Sequence, residues 1–195
     1  MFLNPEDLLN RPDHAWHGVA VGWRKDTHAK IQYIETIHNR ITGIKATFNK
    51  NSILFITFYA PTSGHDEDFL ESIGYLSEYI NNNASKDDKV IIGTDSNCSA
   101  KSTVRRQESW RNFCEKFSLK PKQPARPTFH HHNQSSESCI DLFVISTGLH
   151  TSPVTQHCTL DNPLNLSSHD PLEMSVSIEL DCSEKKDRYS HTYKL

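Results

Sequence analysis

The sequence predicts an α+β domain built from packed β-sheets. Short runs of β-branched and aromatic residues recur through most of the chain, about eight in all, and several follow one another with no helical segment between them. Two longer segments carry apolar residues at the spacing of a helix. No internal repeat is present, so the 195 residues correspond to one domain of ordinary size.

The first half of the chain predicts a run of strands. Residues 18–23 are short and apolar, and residues 31–37 and 41–48 follow, the last with apolar and polar side chains in alternation. Residues 53–59 form the most apolar run, which indicates a central strand. Pro61 ends it, because proline cannot donate a ladder hydrogen bond.

Two amphipathic helices are predicted at residues 66–82 and 103–119. Each places its apolar residues on one face: Phe69, Ile73, Leu76 and Ile80 in the first, Trp110, Phe113, Cys114 and Phe117 in the second. We assign Arg105, Arg106 and Arg111 to the solvated surface of the second helix rather than to contacts with a nucleic acid.

The second half predicts shorter strands at residues 90–94, 139–146 and 154–160, with a proline-rich loop at 120–127. Residues 172–180 alternate between apolar and polar, which is typical of a half-buried antiparallel strand.

The two ends of the chain differ from its middle. Residues 1–17 are polar and hold two prolines, which predicts an irregular lead-in, and residues 182–195 are charged and predict a disordered tail. The domain is therefore expected to cover residues 18–181.

Composition excludes several classes of protein. The net charge of −3 shows no overall basic signal for nucleic acid, and no apolar run is long enough for a membrane span. The five cysteines are odd in number and include no C-x-x-C pair, so neither a disulfide framework nor a zinc module is expected. No basic region followed by an apolar one opens the chain, and we expect a nuclear or cytoplasmic protein rather than a secreted one.

The most informative stretch is the run at residues 90–99, in which three β-branched residues precede Gly93, Asp95 and Asn97. Residues two apart in an extended segment point to the same side, so an acceptor and an amide donor share a small space. Such a pair suits a Mg²⁺ or phosphate site, although an Asx-turn that closes a strand fits the two residues equally well.

Three further polar residues stand at predicted strand ends. Tyr59 closes the apolar strand, Asp141 lies within a strand, and His169 directly precedes the last strand. A buried Asp141 requires a partner, and His169 is the expected one. With Asp95 and Asn97 they supply an acid, a base and phosphate donors for phosphodiester hydrolysis.

Five segments together resemble the endonuclease/exonuclease/phosphatase superfamily, and most nearly the apurinic-type endonuclease domain of non-LTR retrotransposons. They are the glycine-led strand at 18–21, Tyr-Ala-Pro at 59–61, Gly-Thr-Asp-Ser-Asn at 93–97, Thr-Phe at 128–129 followed by Ile-Asp at 140–141, and Ser-His-Asp-Pro at 168–171. Each motif alone is weak, but their order and spacing match the family.

The resemblance implies a four-layer α/β-sandwich whose site lies at one end of two packed sheets. It implies that Asp95 holds the metal and acts on the leaving group or attacking water, that Asn97 and Tyr59 bind phosphate, and that Asp141 orients His169 as the base. It also implies Mg²⁺, with Mn²⁺ as a substitute, and DNA as the substrate.

Two departures from the family pattern lower the expected activity. The family's opening strands, which carry an Asn and a metal-binding Glu, have no counterpart here, since Glu6 precedes no such strand. The acid that normally precedes the motif histidine is Ser168, and Asp170 on the other side is a weak substitute metal ligand. Without the opening strands an uncovered sheet edge would favour self-association.

Two rival functions remain open. The chain could be a catalytically inactive remnant that at most binds nucleic acid or protein, or a phosphoesterase of the same superfamily that acts on phosphoinositides or phospholipids. The run of three histidines at 130–132 is interpreted as a solvated loop rather than a metal site.

Overall fold

The structure is a computed structural model that describes residues 18–36, 38–49, 51–130, 137–157 and 167–178, together with the backbone of 192–194. The predicted lead-in, most of the predicted tail, and the second and third of the three consecutive histidines lie outside these residues.

Thirteen strands and two helices make up the described chain. In order they are β1 (Lys30–Ile34), β2 (Ile41–Phe48), β3 (Asn51–Tyr59), α1 (Asp66–Asn83), β4 (Lys89–Asp95), α2 (Val104–Lys116), β5 (Leu119–Lys122), β6 (Phe129–His130), β7 (Glu137–Ser138), β8 (Asp141–Ser146), β9 (His150–Thr151), β10 (Thr155–Gln156), β11 (Leu172–Glu173), β12 (Ser175–Ser177) and β13 (Thr192–Lys194).

A six-stranded mixed sheet with the order β1-β2-β3-β4-β8-β5 forms the centre of the described chain. β3 and β4 are parallel, which requires a crossover between them, and α1 supplies it. The other neighbours in this sheet pair antiparallel. β1 is an edge strand, and its Tyr33 side chain is exposed.

Both helices cover one face of this sheet. Alternate residues of β3, such as Leu54 and Phe58, point toward Phe69 and Leu76 of α1 and Trp110 of α2 in one hydrophobic cluster. The apolar stripes of the two helices were predicted by their spacing, and burial of these stripes stabilises the layer.

The opposite face packs against a layer of short strands. Phe48, Ile53 and Ile91 of the central sheet contact Met174 and Val176, both of which are almost fully buried. Helices, central sheet and short strands thus form an α/β sandwich, in agreement with the predicted fold class. No helix among the described residues is long and apolar enough to cross a membrane.

Four predicted elements differ from the structure. The proline-rich loop predicted at 120–127 begins with β5, which pairs antiparallel with β8 at the edge of the central sheet. Residues 18–23 form no strand, because they contact β3 through a single hydrogen bond from Thr57 to the Ala20 carbonyl instead of a ladder. The strand predicted at 172–180 is divided into β11 and β12, with Met174 between them. The tail predicted to be disordered contributes β13, whose backbone pairs with β12.

Candidate active site

Three of the predicted site residues lie side by side in one row across the central sheet. Tyr59 at the end of β3 is in register with Asp95 at the end of β4, and Asp95 is in register with Asp141 at the start of β8. Side chains of directly paired residues lie on the same face of a sheet. The row therefore brings two carboxylates and a tyrosine to one end of the face that the short strands cover.

Asp95 lies in an environment that opposes its charge. Burial, together with the negative charge of Asp141, raises its pKa to about 6, whereas the backbone N–H of Asn97, which donates to Oδ1 at 3.1 Å, acts in the opposite direction. Two neighbouring carboxylates with little water favour a bound proton or a bound cation.

Asp141 and His169 form the predicted pair. The Nδ1 atom of His169 lies 3.1 Å and 3.0 Å from the two carboxylate oxygens of Asp141, and this hydrogen bond raises the pKa of the imidazole. In the neutral ring Nδ1 carries the proton, since a carboxylate can only accept, and Nε2 is then the basic atom. The ring packs against Phe129, whose backbone forms an isolated β-bridge with His169.

Asn97 is held by its neighbours in an uncommon backbone conformation. Its φ is +43°, in the left-handed region that asparagine tolerates better than most residues. Its side-chain Nδ2 donates to the Ala60 carbonyl at 2.9 Å, which links the loop after β4 to the turn after β3. An amide nitrogen carries two hydrogens, so one remains for a phosphate oxygen.

Asp170 does not join the site. Its carboxylate is buried, and its Oδ2 atom lies 2.6 Å from Nε2 of Gln156 and 3.1 Å from Nε2 of His130. Its separation from the His169 side chain was expected, because adjacent residues of an extended segment point in opposite directions. These contacts instead fix the segment that carries His169, and His130 therefore departs from the solvated loop that the sequence predicted.

One arginine of α2 was assigned wrongly. Arg106, predicted on the solvated face of α2, has an exposed fraction of 1%. Its Nε donates to Asp66, its guanidinium lies over the Phe69 ring at 4.3 Å, and its remaining nitrogens donate to backbone carbonyls. These carbonyls belong to Pro61, Thr62, His65 and Asn97. Arg106 thus joins the two loops that follow Tyr59 and Asp95.

The spacing of α2 contains the signal that places Arg106. It stands four residues before Trp110 and seven before Phe113, which is the spacing of the buried face. An arginine within an apolar stripe indicates a buried cation with partners, because an isolated buried charge is costly.

The arrangement can hold a divalent cation. Asp95, Asp141 and His169 each place one ligand atom within 4.8 Å of the others. Carboxylate oxygens suit Mg²⁺, which requires only one or two of them and retains several waters. Because Asp141 is hydrogen-bonded to His169, Asp95 is the carboxylate best able to ligate.

Comparisons with known proteins agree with this geometry. Residues 53–173 match the family described as Endonuclease-reverse transcriptase, and this range includes all the residues of the row and the His169 segment. A comparison with curated proteins finds no significant match.

Several solved structures share the fold. The endonuclease domain of TRAS1, a telomere-specific non-LTR retrotransposon, is 16% identical with a TM-score of 0.58, over 77% of this chain and 69% of that domain. An endonuclease/exonuclease/phosphatase family protein from Leptotrichia buccalis is 16% identical with a TM-score of 0.54, over 77% of this chain and 61% of that one. An AP endonuclease from Archaeoglobus fulgidus is 14% identical with a TM-score of 0.52, over 68% of this chain and 63% of that one. The chain thus spans about two thirds of the length of these structures.

The match extends over more than half of the chain, and it coincides with the segments that form the sandwich and the row. The chain therefore belongs to the Endonuclease-reverse transcriptase family, within the endonuclease/exonuclease/phosphatase superfamily of nucleases and other phosphoester hydrolases.

Proposed function

We propose that this protein hydrolyses phosphodiester bonds in DNA as a metal-dependent nicking endonuclease of the retrotransposon type. The observation that carries the proposal is the convergence of Asp95, Asp141 and His169 within 4.8 Å, beside Asn97 and Tyr59. Two of the similar structures named above are endonucleases, one of a retrotransposon and one of the AP class.

The residues divide the work of hydrolysis. His169 is held by Asp141 through Nδ1, which leaves Nε2 to take the proton of an attacking water. The Asn97 amide and the Tyr59 hydroxyl are the donors that orient the phosphate. Mg²⁺ bound at Asp95 would supply charge neutralisation at the scissile phosphate. Asp95 is the residue that would hold this ion, with the Asp141 carboxylate beside it.

Turnover is expected to be slow. Of the two carboxylates in the described site, Asp141 is engaged with His169, so the ion depends chiefly on Asp95. A single protein carboxylate holds Mg²⁺ weakly, and a misplacement of about 1 Å can cost on the order of a hundredfold in rate.

The test is nicking of supercoiled plasmid with Mg²⁺, with Mn²⁺ and with EDTA. We expect slow nicking that needs the metal and that disappears in both Asp95→Ala and His169→Ala. Asp68→Ala and His157→Ala are matched controls, because both residues lie on the exposed surface at other places in the fold. Nicking that persists in EDTA or in both site variants would contradict the proposal.

A small phosphodiester substrate tests the hydrolytic chemistry separately from the recognition of DNA. If bis(p-nitrophenyl) phosphate is hydrolysed and plasmid is not, phosphodiester chemistry is retained and DNA is the wrong substrate. If neither is hydrolysed while DNA still binds, the chain acts as an inactive binding module.

A further inference from the structure

We propose that Arg40 is the phosphate-anchoring residue of this site and binds an anionic phosphate oxygen of the substrate on the Tyr59 side of the row. The inference rests on the proposed function and extends it, because it identifies the cation that recognises the nucleic-acid backbone. It starts from the position of Arg40 in the sheet.

Arg40 is the fourth member of the row that holds Tyr59, Asp95 and Asp141. Ile41 pairs with Phe58 in the β2–β3 ladder, and the next hydrogen bond runs from the Tyr59 N–H to the Arg40 carbonyl at 3.0 Å. Arg40 therefore lies opposite Tyr59, and its side chain shares the face that carries the candidate site.

Among the described residues, the Arg40 guanidinium has no carboxylate partner, whereas four of the other arginines have one. Arg24, Arg105, Arg106 and Arg111 each form ion pairs with Asp or Glu. Arg40 takes part in none of the ion pairs among the described residues. Its guanidinium carbon lies 5.2 Å from the centre of the Tyr59 ring, and Nη1 reaches the Tyr59 carbonyl only at 3.5 Å.

The backbone of Arg40 is fixed from its other side. Its N–H donates to Nδ1 of His38 at 3.3 Å, and the His38 ring packs against Tyr75 with centroids 4.6 Å apart. The guanidinium is therefore held at the site by a rigid strand end and a tyrosine ring. It retains the donor groups on its outer edge for a ligand.

The charges of the row explain why a cation is needed there. Asp95 and Asp141 occupy one end, and both repel a phosphodiester anion. Neighbouring strands lie about 4.8 Å apart, so the backbone of Arg40 stands about two strand spacings from that of Asp95, a span that a phosphate bound between the two side chains can bridge. A guanidinium binds phosphate through two parallel hydrogen bonds, and stacking on an aromatic ring fixes its plane. The geometry directs a polyanionic chain from the carboxylates across Tyr59 to Arg40.

The experiment measures binding apart from cleavage. A short fluorescein-labelled DNA duplex is titrated with the wild type, Arg40→Ala and Arg40→Lys in EDTA, by anisotropy at a series of KCl concentrations. Arg111→Ala is the matched control, because it removes one cation from an exposed part of α2. The urea midpoint of each variant verifies that it folds.

We expect Arg40→Ala to bind about tenfold more weakly or worse, as loss of a charged hydrogen bond implies. The slope of log affinity against log salt should fall in magnitude by about 0.9, the value for one phosphate contact. Arg40→Lys should retain the slope with intermediate affinity, and Arg111→Ala should match the wild type. An Arg40→Ala variant with wild-type affinity and slope overturns the proposal, whether or not the wild type nicks DNA.

A second measurement tests the Arg40 site even if DNA is not the substrate. Inorganic phosphate is titrated into ¹⁵N-labelled wild-type protein while the Nε–Hε signal of Arg40 is followed by NMR. If the duplex does not bind but this signal shifts with saturation, the anion site stands and DNA is the wrong substrate. If neither is observed, the Arg40 proposal fails, and plasmid nicking with Mg²⁺ decides the proposed function separately.

Discussion

Replacing Arg106 should remove a large part of the stability of this fold. The guanidinium donates to four backbone carbonyls, those of Pro61, Thr62, His65 and Asn97, at 2.8 to 3.3 Å. At about 1 kcal/mol for each hydrogen bond, Arg106→Met should lower the free energy of unfolding by about 4 kcal/mol. Small domains have only about 5–15 kcal/mol in total, so the effect is large.

Urea unfolding measures this loss. Arg106→Lys keeps the charge but not the planar fork of donors, and should recover about half of the difference. Arg105→Met is the neighbouring control, because Arg105 is exposed and its ion pair among the described residues is with Glu67 at the surface. This substitution should change stability by less than about 0.5 kcal/mol. Equal urea midpoints for Arg106→Met and Arg105→Met would refute this account of the buried arginine.

Three further predictions concern the site and the core. Asp141→Asn should lower the pKa of His169, since the hydrogen bond that raises it loses its charge, and an NMR titration with the same pKa in both proteins would show that the pair is not in contact. Asp95→Asn should raise the free energy of unfolding near neutral pH. The reason is that the folded pKa of about 6 lies above the ordinary 3.8, so folding disfavours the ionised carboxyl once the pH rises above the ordinary pKa. The gain should vanish below about pH 4, and urea unfolding curves near neutral pH and below about pH 4 test this. Gly43→Ala should destabilise the fold by about 1–3 kcal/mol, because a Cβ there would lie 2.6 Å from a β3 carbonyl oxygen. Gly74→Ala, in open space on α1, should stabilise the fold by about 0.5–1 kcal/mol. Calorimetry that finds Gly43→Ala more stable than Gly74→Ala would contradict this packing.

Much of the central sheet and both helices could be predicted because their side chains follow simple periods. Residues 41–48 form a strand with the predicted bounds, and the helix predicted at 66–82 ends one residue later. Asp141 and His169 could be paired in advance, since a carboxylate inside an apolar strand requires a partner. Periodicity works where one face of an element is buried and the other is not.

The register between strands could not be predicted in the same way. Arg40 lies between the strands predicted at 31–37 and 41–48, and the pairing of β2 with β3 shows that it is opposite Tyr59. Arg106 was misplaced because its charge was given more weight than its spacing. The division between β11 and β12 arises because β11 pairs with β10 whereas β12 pairs with β9, and the alternation within one segment does not predict its partner strands.

The strand pairings that build the row also determine when during folding the site forms. Tyr59 and Asp95 are adjacent through a parallel pairing that forms only after α1 has crossed over, and His169 joins Asp141 from near the end of the described chain. Contacts between residues far apart in sequence form late in folding, because a long loop must first be closed. A nascent chain still on the ribosome can therefore hold the carboxylates of the row without a base beside them. The site proposed above is therefore complete only after the segment that carries His169 has docked beside Asp141.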